Sequence, residues 1–329
     1  MAADRRTGVR WVGLLAAVAV LAVVLVLGIG FGARFLTPGE VWAGLIDPAS
    51  PYYRIVHQMR LPRTLSGLIV GLALGLAGAI MQALTRNPLA DPGLLGINAG
   101  ASAAVATAAA FLGVASFSGY VWFALAGAAV VTALVYAVGG GRSATPARLA
   151  LAGAALNAAL YSYVSAVLLS DTASIQKVRF WTVGSLASAD FDTLRRLIAF
   201  IAAGVVLALA AARPLNALAL GDDAARALGA RPGVIRAMVI AAVTLLCGAA
   251  TAACGPIVFV GLLVPHLVRP LTGPDLRWML PYAAVLAPVL LVGADVLGRV
   301  VGSPGELQVG VVTAVLGGPL FLYLVRVAR

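Results

Sequence analysis

The longest uncharged stretch of the chain, residues 92–141, reads PGLLGINAGASAAVATAAAFLGVASFSGYVWFALAGAAVVTALVYAVGGG. No Asp, Glu, Lys or Arg occurs between Asp91 and Arg142, and a second such interval separates Arg236 from Arg269. A membrane-spanning helix needs about 20 predominantly apolar residues, so these two intervals alone have room for several spans. The sequence therefore predicts a polytopic helical membrane protein.

The composition of the whole chain agrees with this prediction. Of its 329 residues, 62% are hydrophobic and 11% are charged, with a mean hydropathy of +1.02. Soluble domains carry about 45–50% apolar and about 25% charged residues, so too little polar surface remains for a water-soluble fold. The net charge of +11 comes from basic residues at the ends of apolar stretches, a pattern of membrane orientation rather than of nucleic-acid binding.

Apolar stretches divided by charges and turn residues predict an all-α fold with about ten spans in one transmembrane domain, residues 1–329. A count of eight or nine is the alternative, because the divisions at 117–119 and 254–256 depend on turn-forming residues alone. Most basic residues fall on one side if both termini are cytoplasmic, which makes 1–10 a cytoplasmic tail and 214–233 a cytoplasmic loop. The spans are expected near 11–33, 63–84, 93–113, 120–139, 147–170, 192–212, 234–254, 256–269, 279–299 and 308–326.

Three arginines are expected at the outer ends of spans. Arg60 and Arg63 flank Pro62 at the second span, and Arg299 ends the ninth. One interpretation is snorkelling of the side chains to the membrane interface, and the other is a basic patch that docks an acidic partner outside the cell. Asp295 lies four residues before Arg299, a spacing that allows an ion pair.

An irregular inner segment follows the second span. Asn87-Pro88 and Asp91-Pro92-Gly93 disfavour continuous helix, and non-helical backbone at membrane depth must be buried in protein or line a cavity. The segment is therefore either a cytoplasmic gate or a tight turn in which Asp91 caps the next helix.

The longest inner loop contains a short predicted helix. Gly221-Asp222-Asp223 places acidic residues in a first turn, where the helix dipole favours them. Residues 224–228 are good helix formers, and Gly229 with Pro232 ends the helix. Such a helix fits either a knob for another protein's groove or a solvated connection.

Six motifs together resemble the permease subunits of type II ATP-binding-cassette (ABC) importers, which take up ferric siderophores, haem and vitamin B12. The resemblance covers nearly the whole chain, and LTRNPLADPGLLGINAGAS with RFWTVGSL is most similar to ferric-catecholate siderophore permeases. The motifs are RLPRTL (60–65), RNPLADPG (86–93), RFWTVGSL (179–186), LALGDDAARALG (218–229), FVGLLVPH (259–266) and PGELQVGVVTAVLGGP (304–319).

The resemblance implies a set of partners. The family has ten spans per subunit and works as a homodimer or heterodimer of permeases in the bacterial cytoplasmic membrane. Two cytoplasmic ABC ATPases bind ATP and Mg below it, and an extracytoplasmic substrate-binding protein docks above. No cofactor is expected in the chain itself, and its remaining contacts are with membrane lipid.

The resemblance also implies roles for individual residues. Docking of the binding protein corresponds to Arg60, Arg63 and Arg299. The cytoplasmic gate corresponds to Asn87, Pro88, Leu89, Thr145, Pro146 and Ala147, although Pro146 and Ala147 depart from the polar pattern of the vitamin B12 permease. The helix that couples the permease to its ATPase corresponds to Leu220, Gly221, Asp222, Asp223, Ala224, Arg226, Leu228 and Gly229.

The chain is not expected to be an enzyme. It shows no paired carboxylates, metal-ligand cluster or activated nucleophile. A nucleotide-binding Walker A loop ends in Lys followed by Ser or Thr, whereas the single lysine here, Lys177, precedes Val178. We expect a ferric siderophore as cargo, with haem or cobalamin as the alternative.

An ion-coupled secondary transporter is the rival from another class. It would require ionisable residues within the membrane, and the spans offer Asp295 and His266 alone. A neutral His266 bonded to nearby backbone is expected, which leaves little for an ion to bind.

Overall fold

The computed structural model describes residues 2–32, 34–114, 116–141, 144–170 and 181–327, and within these ranges the chain is helical without a β-strand. A π-helical turn, Ile55–Arg60, runs directly into the third helix, and a 3₁₀ turn, Pro92–Leu95, precedes the fourth. The α-helices are α1 Ala2–Gly30, α2 Pro38–Ile46, α3 Leu61–Thr85, α4 Ile97–Phe111, α5 Phe117–Val138, α6 Pro146–Ser170, α7 Phe191–Leu218, α8 Asp222–Ala227, α9 Pro232–Cys254, α10 Val260–Thr272, α11 Leu276–Val301 and α12 Val309–Val327.

The predicted fold class is confirmed, and each predicted span overlaps one helix. In the described part of the chain, α1, α3, α5, α6, α7, α9 and α11 are long and apolar enough to cross a membrane. The other three predicted spans are the shorter apolar helices α4, α10 and α12. Arg142, Lys177 and the first two residues of RFWTVGSL lie outside the described residues.

Helix α2, which lies between the first two spans, was not predicted. A reciprocal capping box starts this helix: the Thr37 hydroxyl accepts from the Glu40 backbone N–H, and the Glu40 carboxylate accepts from the Thr37 N–H. Such a box satisfies two backbone donors that the first turn otherwise leaves free. A helix of nine residues is too short to produce a span signal.

Helix α3 is the centre of the bundle and packs against α7, α9, α10 and α11. Gly71 and Gly75 bring its backbone close to α11: a Cβ at Gly71 would lie 2.6 Å from Pro288 Cα, and one at Gly75 would lie 2.6 Å from the Ala283 carbonyl oxygen. Small residues at this spacing let membrane helices approach closely. The middle of α3 is thereby held closely against α11.

Helix α1 lies at the periphery. Its most apolar window has a mean hydropathy of 3.1, yet only 11% of that window is buried, against 78% for the stretch that contains α3. It packs on α11, where the Tyr282 hydroxyl donates to the Arg10 carbonyl at 2.6 Å. The remaining apolar surface of α1 suits contact with lipid.

Candidate functional site

The three predicted docking arginines lie together at the end of the bundle predicted to face outside, and we call them the outer arginine cluster. All three are buried, with exposed fractions of 6% for Arg60, 9% for Arg63 and 2% for Arg299. Snorkelling, which would place the charged groups in water, is therefore wrong for these residues. Burial of three cations requires compensating partners.

Asp295 supplies the central negative charge of the cluster. It is only 2% exposed and lies between two guanidinium groups. Arg63 Nε and Nη2 donate to its carboxylate at 2.8–3.1 Å, and Arg299 Nη2 lies 3.0 Å from its Oδ2. The predicted pairing of Asp295 with Arg299 is confirmed. The partnership with Arg63 joins α3 to α11 and was not predicted.

Backbone carbonyls at the end of α1 accept the remaining hydrogen bonds. Arg60 donates to the carbonyls of Ile29 and Gly30 at 2.7 Å and to that of Arg34. Arg299 donates to Gly28 at 3.0 Å and to Phe31 at 2.5 Å. The last carbonyls of a helix lack intrahelical partners, and a cation there also complements the helix dipole. The cluster thus joins α1, α3 and α11.

A cleft of about 280 Å³ opens over the cluster. Glu306 lies at its edge, 36% exposed, and accepts from Arg63 Nη1 at 2.6 Å. The four lining arginines outnumber Glu306, Asp295 and Glu40, the carboxylates that pair with them, so the cleft keeps a positive charge that attracts an anionic group, although docking itself stays a prediction. The polar lining residues are Arg34, Gln58, Arg60, Arg63, Arg299 and Glu306.

The first predicted gate loop, Asn87 to Leu89, follows α3 at the opposite end of the bundle. The Asn87 side-chain oxygen accepts from the Leu89 N–H at 2.9 Å, and Asp91 accepts from the Gly93 N–H at 2.7 Å. Both are local turns in which a side chain replaces a backbone acceptor. Asp91 does cap the 3₁₀ turn, as one interpretation predicted, and the gate stays a prediction.

The second predicted gate segment, Thr145 to Ala147, begins α6. The Thr145 hydroxyl accepts from the Arg148 N–H at 3.4 Å, and Pro146 occupies the first helical position, where its missing N–H costs little. Further along α6, Asn157 Nδ2 donates to the Gly93 carbonyl at 3.1 Å. Helix α6 is thereby attached to the turn that follows the first loop.

The predicted coupling helix is observed as α8. Leu220 before it and Leu228 after it are 69% and 68% exposed, two apolar side chains that suit a partner's groove. Gly221 and Gly229 adopt positive φ angles of 114° and 80° at its two ends. Both are backbone conformations that glycine adopts without a steric penalty.

Asp222 fixes α8 to the bundle. Its carboxylate accepts from Arg236 Nη2 of α9 at 2.6 Å and from Arg86 Nη2 at the end of α3 at 3.2 Å. The bond from Arg236 is the main reason that the pKa of Asp222 lies below its ordinary value. We call Arg86, Asp222 and Arg236 the inner ion-pair network. Neither arginine was predicted as a partner of Asp222, although Arg86 opens the RNPLADPG motif.

Asp295 and His266, the two residues that the secondary-transporter hypothesis would use, have different surroundings. Asp295 is neutralised by two arginines. The buried Nδ1 of His266 has no hydrogen-bond partner in the described part of the chain, so backbone bonding at that atom is not observed.

Comparisons with known proteins extend over nearly the whole chain. The family model described as FecCD transport family matches residues 20–327. The chain is 45% identical over 311 residues to the ferric enterobactin transport system permease protein FepD of Escherichia coli (strain K12), covering 93% of this chain and 92% of that protein. It is 41% identical over 289 residues to the Fe(3+)-citrate import system permease protein YfmD of Bacillus subtilis (strain 168), covering 88% and 85%.

A solved structure supports the same fold. A metal-chelate type ABC transporter in an inward-facing conformation superimposes with a TM-score of 0.83 at 28% identity, covering 95% of this chain and 98% of that one. The similarity therefore includes both ends of the bundle.

Proposed function

Because the chain belongs to the FecCD transport family, we propose that it is the membrane permease through which an ABC importer takes up a ferric siderophore. The observation that carries the cargo assignment is the 45% identity, over 93% of the chain, to a ferric enterobactin permease protein. LTRNPLADPGLLGINAGAS and RFWTVGSL, the motifs most similar to ferric-catecholate permeases, also favour a ferric siderophore as cargo. An iron(III) chelate is also the cargo named for the citrate relative.

ATP hydrolysis belongs to separate subunits in this proposal. The sequence lacks a Walker A lysine, so ATP and Mg bind to two cytoplasmic ATPases. The exposed Leu220 and Leu228 beside α8 are the apolar contacts that we assign to the ATPase groove. A second permease subunit completes the path, with both termini of each subunit in the cytoplasm.

At the outer face, an acidic side chain of the binding protein enters the cleft above Arg60, Arg63 and Arg299. The cleft is lined by four arginines and one glutamate, which gives the electrostatic complementarity that guides association. At the inner face, movement of α8 opens the loops at Asn87 to Leu89 and Thr145 to Ala147.

Uptake assays in a strain that lacks this chain test the cargo and the energy source. We expect uptake of labelled ferric enterobactin to depend on the chain and to stop with vanadate, whereas hemin and cobalamin uptake do not change. Loss of hemin or cobalamin uptake instead would reassign the cargo. Uptake that resists vanadate but collapses with the ion gradient would favour the secondary transporter.

Charge reversal tests docking. Arg63→Glu should weaken binding-protein affinity and uptake, but it also removes the internal partner of Asp295. The permease must therefore be shown to remain folded and bound to its ATPase. Arg195→Glu is the matched control, because Arg195 lies in the first turns of α7 and its side chain is 81% exposed. Equal affinity in a folded Arg63→Glu permease and in the control would reject docking at the cluster.

A further inference from the structure

The inner ion-pair network connects four helix ends at the predicted inner face. One of its oxygens accepts from Arg236 of α9, and the other accepts from Arg86. Arg86 Nη2 also donates to the carbonyl of Leu218 at the end of α7, at 2.5 Å. A single guanidinium thus binds α7 and α8 while belonging to the end of α3.

Arg86 is placed to transmit a displacement because it directly precedes the gate loop. Its backbone has a φ of 52° and a ψ of 30°, the left-handed conformation, which is uncommon for residues other than glycine, Asn and Asp. The next N–H, that of Asn87, donates to the Gln82 carbonyl at 3.2 Å. The Arg86 side chain is therefore held by α8 and by the end of α7, while its backbone leads straight into Asn87 to Leu89.

The neighbouring carboxylate makes different contacts. The Asp223 side chain is 99% exposed and pairs with Arg226 of the same helix at 2.7 Å. Asp222 is 30% exposed, and its partner Arg236 only 12%. The two adjacent aspartates of the GDDAARALG motif therefore have different positions: Asp222 faces the bundle and Asp223 faces away from it.

We propose that Arg86 and Asp222 are positioning residues through which movement of α8 opens the gate loop at Asn87 to Leu89. This inference rests on the proposed function, in which α8 contacts the ATPase. The side chains of Arg86 and Asp222 are 44% and 30% exposed, so the link depends on the network that both form with Arg236 rather than on the strength of one ion pair. When α8 moves, Asp222 carries the Arg86 side chain with it, and the backbone of the loop follows.

Thiol labelling of the gate loop in the intact permease and ATPase complex tests the link without any cargo. Leu89→Cys introduces a reporter, and the native Cys247 and Cys254 are both buried, which keeps background labelling low. Maleimide labelling is followed in lipid nanodiscs with and without ATP and vanadate, and ATP hydrolysis is measured on the same samples. In the otherwise unchanged complex we expect ATP to alter the labelling rate.

Two variants remove the link from opposite sides. Asp222→Asn removes the charge on α8 that binds Arg86 and Arg236. Arg86→Asn leaves α8 untouched, and Asn tolerates the left-handed backbone at that position. Both should lose the ATP-dependent change in labelling while they keep ATP hydrolysis, a combination that a loss of folding would not produce. The matched control is Asp192→Asn, because Asp192 of α7 also pairs with an arginine three residues on and its side chain is 78% exposed. This variant should keep the change.

The outcomes separate this inference from the function on which it rests. An ATP-dependent change that persists in Asp222→Asn and Arg86→Asn would overturn the link and leave the gate intact. No ATP-dependent change at Leu89→Cys in the unchanged network would overturn the gate assignment and the link with it. If Asp222→Asn fails to assemble with the ATPase, Arg86→Asn decides the result.

Discussion

Replacing Asp295 by Asn should destabilise the permease strongly, because the substitution removes the charge shared by two buried arginines. Arg63 and Arg299 both lie within 3.1 Å of this carboxylate. Loss of one partner from a buried ion pair costs about 3–5 kcal/mol, since an uncompensated charge is left behind. Part of the charge compensation remains in the variant, because Arg63 still pairs with Glu306 and Arg299 still donates to two backbone carbonyls. We therefore expect a loss of about 3 kcal/mol, the lower end of that range.

The matched control is Glu306→Gln. Glu306 is 36% exposed and lies 2.6 Å from Arg63, which keeps its bonds to Asp295 in the variant. Pairs near the surface contribute about 0–1 kcal/mol, so this variant should lose no more than about 1 kcal/mol. A difference of about 2 kcal/mol between the two variants corresponds to roughly 3 °C in melting temperature for a chain of 329 residues, on the entropy scale of soluble domains.

Thermal unfolding of the purified permease in detergent measures the difference, with both variants and the parent chain in the same buffer. Asp295→Asn should melt well below Glu306→Gln. Equal melting temperatures would refute the reasoning, because they would mean that the carboxylate between Arg63 and Arg299 does not offset the burial of their charges.

Three further predictions follow from contacts elsewhere in the structure. Gly78→Ala should abolish expression of folded protein, because the added Cβ would overlap the backbone of α10. Gly293→Ala is the control and should express normally, because no atom lies within 4 Å of the added Cβ. Equal yields of the two variants would contradict the packing of α3 on α10. The lowered pKa of Asp222 means that its stabilising contribution is present above about pH 4, near the ordinary carboxyl pKa, and is lost as the pH falls through the lowered value. The difference in melting temperature between the parent chain and Asp222→Asn should therefore stay constant from pH 5 to pH 8, and a titration within that window would contradict the ion pairs. Cys247 and Cys254 are both buried and should not react with maleimide until the protein is denatured. Mass spectrometry measures the labelling, and rapid labelling of the native protein would contradict their burial.

Hydropathy alone was sufficient to predict the helical fold, because a span depends on the composition of one continuous segment. All ten predicted spans overlap a helix, and the short helix at Asp222 was predicted from its first-turn acids and its terminal glycine. The pair formed by Asp295 and Arg299 was also predicted, since residues four apart on a helix are neighbours whatever surrounds them. The nine-residue α2 gave no comparable signal.

The charged clusters depended on tertiary structure. Arg63 and Asp295 are 232 positions apart in the sequence, and Arg86 and Asp222 are 136 positions apart. Helical periodicity cannot predict a contact between residues so far apart in the sequence. The sequence presented Arg60, Arg63 and Arg299 as an exposed basic patch, whereas packing buries all three against carbonyls and carboxylates. Asp222 and Asp223 are chemically identical neighbours in the sequence. Only the packing of α8 on α7 and α9, with Arg86 beside it, makes one of them a link between helices and leaves the other in solvent.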